Sequence, residues 1–225
     1  MKHIIISFSI IAFSILVFAG CSQNKENAPQ KEETTQQVQT PKSQKTIDNL
    51  KAAILGETTA SAKYAAFAKK AADEGYAKIS KMFEAISHAE GIHAGNHKRE
   101  LETLVKETVD IKADTFVVGT TAENLADAIK GETYESTTMY PDFIAQAKLD
   151  NEQGAVTSFD YALQTEKKHK QMYENALKLL QDKKEKTLAS MYYVCPKCGY
   201  TYLPNELKEN CIVCYTSKEQ YIAFK

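Results

Sequence analysis

Glycine and proline are both scarce in this 225-residue chain, at 9 and 5 residues. That scarcity argues against a collagen-like chain, a low-complexity chain or a turn-rich β-sandwich. Neither sign of charge dominates, with 28 Lys and Arg against 29 Asp and Glu. Without a long basic run, nucleic acid is not the expected partner. Cysteine, at 5 residues, is too sparse for a disulfide scaffold of this size, and it is unevenly placed: Cys21, then four within the last 31 residues. What the chain does have is apolar material, 43% of its residues, enough for a sizeable core.

Lys2 and His3 precede an uncharged apolar run over residues 4–20. It is marginal in length for a membrane span and reads as a signal peptide over residues 1–20. The run ends Phe18-Ala19-Gly20-Cys21, which resembles the lipobox of bacterial lipoproteins, where cleavage precedes a cysteine that becomes lipidated. The alternative is an uncleaved N-terminal anchor. Both place the remainder outside the cytoplasm as a membrane-anchored protein, with Cys21 the lipidation site in the first case. Residues 21–45 are rich in Gln, Lys, Glu and Thr, and Val38 is their one large aliphatic residue. Such a segment buries too little to offset its ordering entropy, so a disordered tether is expected.

From Thr46 the pattern becomes helical, and residues 46–183 read as four helices. Leu50, Ile54, Tyr64 and Phe67 recur at helical spacing, Gly75 marks a first break and Gly154 a later one. The two halves repeat. Gly56-Glu57-Thr58 matches Gly131-Glu132-Thr133 at an offset of 75, and Glu90-x-x-His93 matches Glu166-x-x-His169 at 76. One inserted residue near Tyr140-Pro141 reconciles the offsets, and Pro141 is expected to bend or break the third helix. Two like hairpins make an all-α, pseudo-twofold four-helix bundle.

Residues three apart share a helix face, so Glu90 points with His93 and Glu166 with His169. Glu57 and Glu132 fall on the apolar, inward stripes of their helices. Four carboxylates and two imidazoles thus converge on one interior, with no Lys or Arg at matching inward positions. Buried carboxylates need counter-charge, and two divalent cations supply it. One Glu from each of two helices plus Glu-x-x-His from each of the other two is the recognised ligand template of di-iron and di-manganese bundles in the ferritin-like class. Glu135, three after Glu132, is a seventh candidate. Tyr64 and Tyr140, about two turns beyond Glu57 and Glu132, are placed to hold ligand carboxylates. His88 and His97 have no repeat partner and read as surface or outer-layer residues.

Residues 191–225 carry Cys195-x-x-Cys198 and Cys211-x-x-Cys214 among several aromatics. Two such knuckles make a four-thiolate site for iron or zinc, and a module this small needs the metal to hold together. In an exported chain the alternative is two disulfides.

Residues 46–225 resemble rubrerythrin in order: a ferritin-like bundle, then a small rubredoxin-like domain. Gly131-Glu132-Thr133-Tyr134-Glu135 with Met139-Tyr140-Pro141 resembles that family's third-helix signature. The resemblance implies that Glu57, Glu90, His93, Glu132, Glu135, Glu166 and His169 are di-iron ligands, and that Cys195, Cys198, Cys211 and Cys214 hold one iron. It also implies that one iron exchanges His93 for Glu135 on oxidation. It further implies a homodimer in which one chain's rubredoxin-like centre lies near the other chain's di-iron site. The second knuckle, Cys-Ile-Val-Cys-Tyr, departs from rubredoxins in lacking Pro and Gly.

The expected function is reduction of hydrogen peroxide to water at the iron pair, with electrons from an extracytoplasmic donor passing through the four-cysteine iron. The alternatives are a ferroxidase, with ferrous iron as substrate, and a tethered, non-catalytic module with zinc in the cysteine site.

Overall fold

The computed structural model describes residues 43–225, all within one compact unit that extends to Lys225. The expected signal peptide, Cys21 and most of the tether lie outside the described residues. Gln44 and Lys45, assigned to the tether from composition, already belong to the first helix.

Helix α1 spans Gln44–Asp73 and α2 spans Ala77–Val105. Gly75, at φ +85°, turns the chain between them, and the Tyr76 N–H closes back on the Ala71 carbonyl at 2.8 Å. An extended crossover over residues 106–120 leads to α3, Thr121–Tyr134. Its start is fixed by a capping box, Thr120 accepting from the Glu123 N–H while the Glu123 carboxylate accepts from the Thr120 N–H.

The third helix does not break at Pro141. It passes through one π-helical turn, Glu135–Met139, and continues as α4, Tyr140–Asp150. The Tyr140 N–H reaches the Glu135 carbonyl, the i→i+5 bond of a π turn. A π turn absorbs one extra residue within a continuous helix, which is the insertion that shifts the repeat offset. Ser136 and Thr137 hydroxyls donate to the carbonyls of Glu132 and Thr133, at 2.5 and 2.6 Å. The turn before α5 (Gln153–Gln181) is made by Asn151 at φ +62°, not by Gly154, which sits inside the first turn of α5. The Glu100 carboxylate lies over Gly154, where a Cβ would displace the end of that flexible side chain.

Two apolar clusters lie toward opposite ends of the bundle. One holds Tyr64, Phe67, Phe83, Ile86 and Tyr173; the other holds Leu50, Ile54, Leu101, Tyr140 and Phe159. The polar residues of the metal-type site occupy the level between them. After α5 a 3-10 turn, Glu185–Thr187, sends the chain back along α2. Strands β1 (Tyr192–Val194), β2 (Thr201–Tyr202) and β3 (Ile222–Phe224) form an antiparallel sheet in the order β2-β1-β3. Tyr192 and Val194 join the first apolar cluster, so the module packs on the bundle of its own chain. Lys78 ties down the connection by donating to the carbonyls of Lys186 and Leu188, both at 2.6 Å. Among the described residues no helix is long and apolar enough to cross a membrane.

Candidate metal centres

Each helix of the bundle delivers its side chains to the centre. Glu57 comes from α1, Glu90 and His93 from α2, Glu132 from α3, and Glu166 and His169 from α5; all six are at most 1% exposed. Their ligand atoms fall into two overlapping groups, Glu57–Glu90–His93–Glu166 and Glu90–Glu132–Glu166–His169, each within 4.8 Å. Glu90 and Glu166 belong to both, as bridging carboxylates of a two-metal site would.

Without metal, protons stand in for the cations. Burial and the charges of Glu90 and Glu166 push Glu57 up to about 8. Burial, Glu166 and Glu90 likewise hold Glu132 well above the ordinary carboxylate range. Burial opposes the ionisation of Glu90, but the charge and hydrogen bond of His169, with those of His93, outweigh it and hold this carboxyl down. Burial also opposes the charging of His169, yet the Glu90 charge and the Glu166 hydrogen bond carry it up to about 9.

Three observations show that these residues fit a pair of metal ions. Buried oxygens on Glu57 (Oε2), Glu132 (Oε2) and Glu166 (Oε1) receive no hydrogen bond, a costly state unless a cation faces them. His93 Nδ1 lies 2.9 Å from both Glu90 Oε2 and Glu166 Oε1, although one nitrogen can donate to only one of them. The outer nitrogens settle the tautomers. His93 Nε2 is 3.1 Å from the Cys198 carbonyl, an acceptor only, so it must carry the hydrogen. His169 Nε2 is 3.0 Å from Thr201 Oγ1, whose own hydrogen points to the Gly199 carbonyl at 3.3 Å. Once metal displaces the extra protons, a neutral ring that keeps its hydrogen on Nε2 would have Nδ1 bare and aimed among the carboxylates, the form a metal needs.

Glu135 is half-buried at the start of the π turn and belongs to neither group; His93 does. Its carboxyl is held well up by burial and by Glu57, Glu166 and Glu90. Tyr64 and Tyr140 each hold a carboxylate of the opposite half: the Tyr64 hydroxyl donates to Glu132 Oε1 at 3.0 Å, and that of Tyr140 to Glu57 Oε1. His88 lies on the surface with its ring 5.5 Å from that of Phe224. His97 is fully buried and bonded to Tyr140 and Ser158. Its position four residues after His93, on the same face, was the available signal. Nothing local to Thr165 or Thr201 signals their part: the Thr165 hydroxyl donates to the Tyr161 carbonyl at 2.9 Å and lies 3.3 Å from the Cys198 carbonyl, and Thr201 meets His169.

All four cysteines of the module are free thiols, so it carries no disulfide. Cys195 and Cys214 sulfurs are 3.4 Å apart and those of Cys198 and Cys211 are 3.5 Å apart. These edges are near the ~3.8 Å expected of a tetrahedron with metal–sulfur bonds of about 2.3 Å. Hydrogen bonds from Cys195 and Cys198, with burial opposing and the Tyr202 hydroxyl helping, hold the Cys211 thiol far down, so one thiolate is ready for a cation. Asn96 in α2 donates to the Lys197 carbonyl at 2.9 Å and anchors the first knuckle beside the bundle site.

Fold and sites together define a ferritin-like, two-metal carboxylate bundle carrying a rubredoxin-like four-thiolate module. The family model for rubrerythrin matches residues 48–177. Rubrerythrin-2 of Clostridium acetobutylicum is 32% identical over 179 residues, covering 80% of this chain and 96% of that protein. Nigerythrin of Nitratidesulfovibrio vulgaris is 36% identical over 184 residues, covering 80% and 86%. The solved structure of fully reduced, all-ferrous nigerythrin superposes with a TM-score of 0.73 at 33% identity, over 80% of this chain and 86% of that one. The chain belongs to the rubrerythrin family. It is a di-iron oxidoreductase, with two irons in the bundle and a metal in the four-cysteine module.

Proposed function

We propose that the protein is a non-haem di-iron peroxide reductase, converting hydrogen peroxide, two electrons and two protons into two waters, with electrons arriving through iron in the four-cysteine module. The observation that carries this reading is the hydrogen bond from His93 Nε2 to the Cys198 carbonyl, 3.1 Å long and made within one chain. The resemblance implied such proximity across two chains; here the return of the chain along α2 brings the knuckle onto its own bundle. A site built only to oxidise iron has no use for a reductant relay at its wall.

When bound, the iron pair supplies two electrons and Lewis acidity for breaking the O–O bond. Glu57, Glu90, His93, Glu132, Glu166 and His169 would hold it, with Glu135 poised beside them. The apolar clusters above and below exclude bulk water and strengthen every charge interaction inside. Tyr64 and Tyr140 hold Glu132 and Glu57 in place, which fixes where a small oxidant fits. Cys198 and His93 join the two centres by one peptide carbonyl and one hydrogen bond.

The test is steady-state peroxide consumption by anaerobically reduced protein. Turnover sustained by a chemical electron donor without added iron supports the reductase. Turnover that instead tracks added ferrous iron supports a ferroxidase. A visible ferric-thiolate band supports iron in the module, whereas a colourless zinc-filled module supports the non-catalytic alternative.

We further propose that the protein is lipid-anchored outside the cytoplasm, and that it is a homodimer, as the family resemblance implies. The support for the anchor is the lipobox-like segment ending at Cys21 and the polar sequence after it. Cys21→Ser should abolish labelling by a fatty-acid probe and release the protein from membranes; a labelled or membrane-bound variant would sink the anchor.

A further inference from the structure

The wall behind Glu57 is polar, and the equivalent wall behind Glu132 is not. Tyr140 gives its hydroxyl hydrogen to Glu57 Oε1. His97 Nε2 lies 3.1 Å from the Tyr140 hydroxyl, and His97 Nδ1 lies 2.7 Å from the Ser158 hydroxyl. A metal-bound Glu57 carboxylate has no proton to offer, so Tyr140 donates to it and its oxygen accepts. His97 Nε2 therefore carries a hydrogen, and Nδ1 accepts from Ser158. Burial holds this imidazole below its ordinary range, and one neutral tautomer satisfies every bond in the row. At the far end Ser158 lines a surface cavity of about 380 Å³ together with Asn96, Arg99, Gly154 and Lys197.

The internal repeat supplies a control. At an offset of 76, Tyr140 corresponds to Tyr64, His97 to Tyr173, and Ser158 to Met82. Tyr64 holds Glu132, but the Tyr173 hydroxyl is buried with no hydrogen-bond partner, and Met82 has no proton to give. The fold therefore fills these positions with an aromatic and a thioether where only packing is asked of them. A histidine bonded at both nitrogens, leading from a cavity to a ligand carboxylate, answers a different need.

We propose that Ser158, His97 and Tyr140 form a one-sided proton route from this cavity to Glu57. For each proton passed, Ser158 takes one from a hydronium ion in the cavity, which leaves as water, and gives its own to His97 Nδ1. His97 gives its Nε2 proton to Tyr140, and Tyr140 gives its proton to Glu57 Oε1. His97 is then left with hydrogen on Nδ1, and a flip of its ring restores the starting tautomer before the next proton passes. No electron moves in the row. As a supply for catalysis it rests on the peroxide reading, which consumes two protons per turnover. His97 and Ser158 act through Tyr140 and are positioning residues.

The experiment uses the full chain. In the zinc-loaded protein, nitrogen-15 spectra of the imidazoles should show His97 with hydrogen on Nε2 and a bare, hydrogen-bonded Nδ1. Ser158→Ala should move that Nδ1 resonance. In the iron-loaded protein, Ser158→Ala and His97→Leu should each slow peroxide consumption about tenfold with metal content unchanged, and should change the solvent deuterium isotope effect. Tyr173→Phe, at the mirror position, should leave the rate within about twofold. Hydrogen on His97 Nδ1 in the wild type would overturn the route. So would an unchanged rate and isotope effect in Ser158→Ala. A wild-type chain that consumes no peroxide would defeat the peroxide reading alone, and the tautomer would then decide the row.

Discussion

His93 and Gly199 are in contact: a Cβ built on Gly199 would lie 2.5 Å from His93 Nε2 and 2.9 Å from its Cδ2. Gly199 also sits at φ +81°, where a side chain is strained. The residue after the first knuckle is therefore glycine because the knuckle must turn left-handed and because an imidazole of the bundle occupies the space. Gly199→Ala is expected to destabilise the chain by about 1–2 kcal/mol from the backbone alone, and to push the His93 ring off the Cys198 carbonyl. A lowered thermal midpoint together with slower reduction of the bundle irons by the module checks this. An unchanged transfer rate would remove the His93–Cys198 contact as the link.

Stability of the metal-free chain should fall as pH rises. Glu57 ionises near 4.5 when unfolded and at about 8 when folded, so between those values the folded state holds a proton the unfolded state has lost. His169, raised from 6.5 to about 9, extends the same sign upward: its stabilisation is complete below 6.5 and lost as pH passes 9. Thermal midpoints of the apo chain should decline across this range, and metal should flatten the profile by replacing the protons. A flat apo profile would contradict the buried charge balance.

Removing either cross-half tyrosine hydroxyl should weaken metal binding without unfolding the bundle. Tyr64→Phe frees Glu132 Oε1, and Tyr140→Phe frees Glu57 Oε1. Each should lower affinity about 10- to 100-fold in a chelator competition, while the far-ultraviolet helical signal stays unchanged. Wild-type affinity in both variants would mean that the tyrosines only pack.

In the module, the Tyr202 hydroxyl donates to Cys211 Sγ at 3.2 Å and accepts from the Ile212 N–H at 3.0 Å. A hydrogen bond to a thiolate favours the more negative, reduced state of the cluster. Tyr202→Phe should therefore lower the reduction potential of an iron-loaded module, by the equivalent of at most about 1.5–3 kcal/mol for a bond to a charged group. Potentiometric titration of the module's visible band would show it, and a potential that rises or stays put would count against this donor.

Helical periodicity made much of this legible. The repeat of Gly-Glu-Thr and Glu-x-x-His placed six ligand-type residues on inward faces, because spacing along one helix dictates direction from that helix. The paired C-x-x-C knuckles carried the second centre in the same local way. Pro141 was legible as a disturbance, but its outcome was not. Whether an inserted residue breaks a helix or widens one turn depends on the bundle that must be kept continuous around it, and here the π turn Glu135–Met139 preserves the packing of α4. Gly154 did not mark the break, because Asn151 takes the left-handed conformation of the turn and Gly154 already lies within α5.

The amino-acid sequence by itself determined which residues face inward and which could bind metal, since both follow from residue type and spacing within single helices and knuckles. Only the tertiary structure decided their partners. Tyr64 meets Glu132 and Tyr140 meets Glu57 because the hairpins pack across the pseudo-twofold axis. Cys198 meets His93 of its own chain because a short turn after α5 folds the module back along α2. Contacts between residues a hundred positions apart depend on how whole faces dock, and no local period records that.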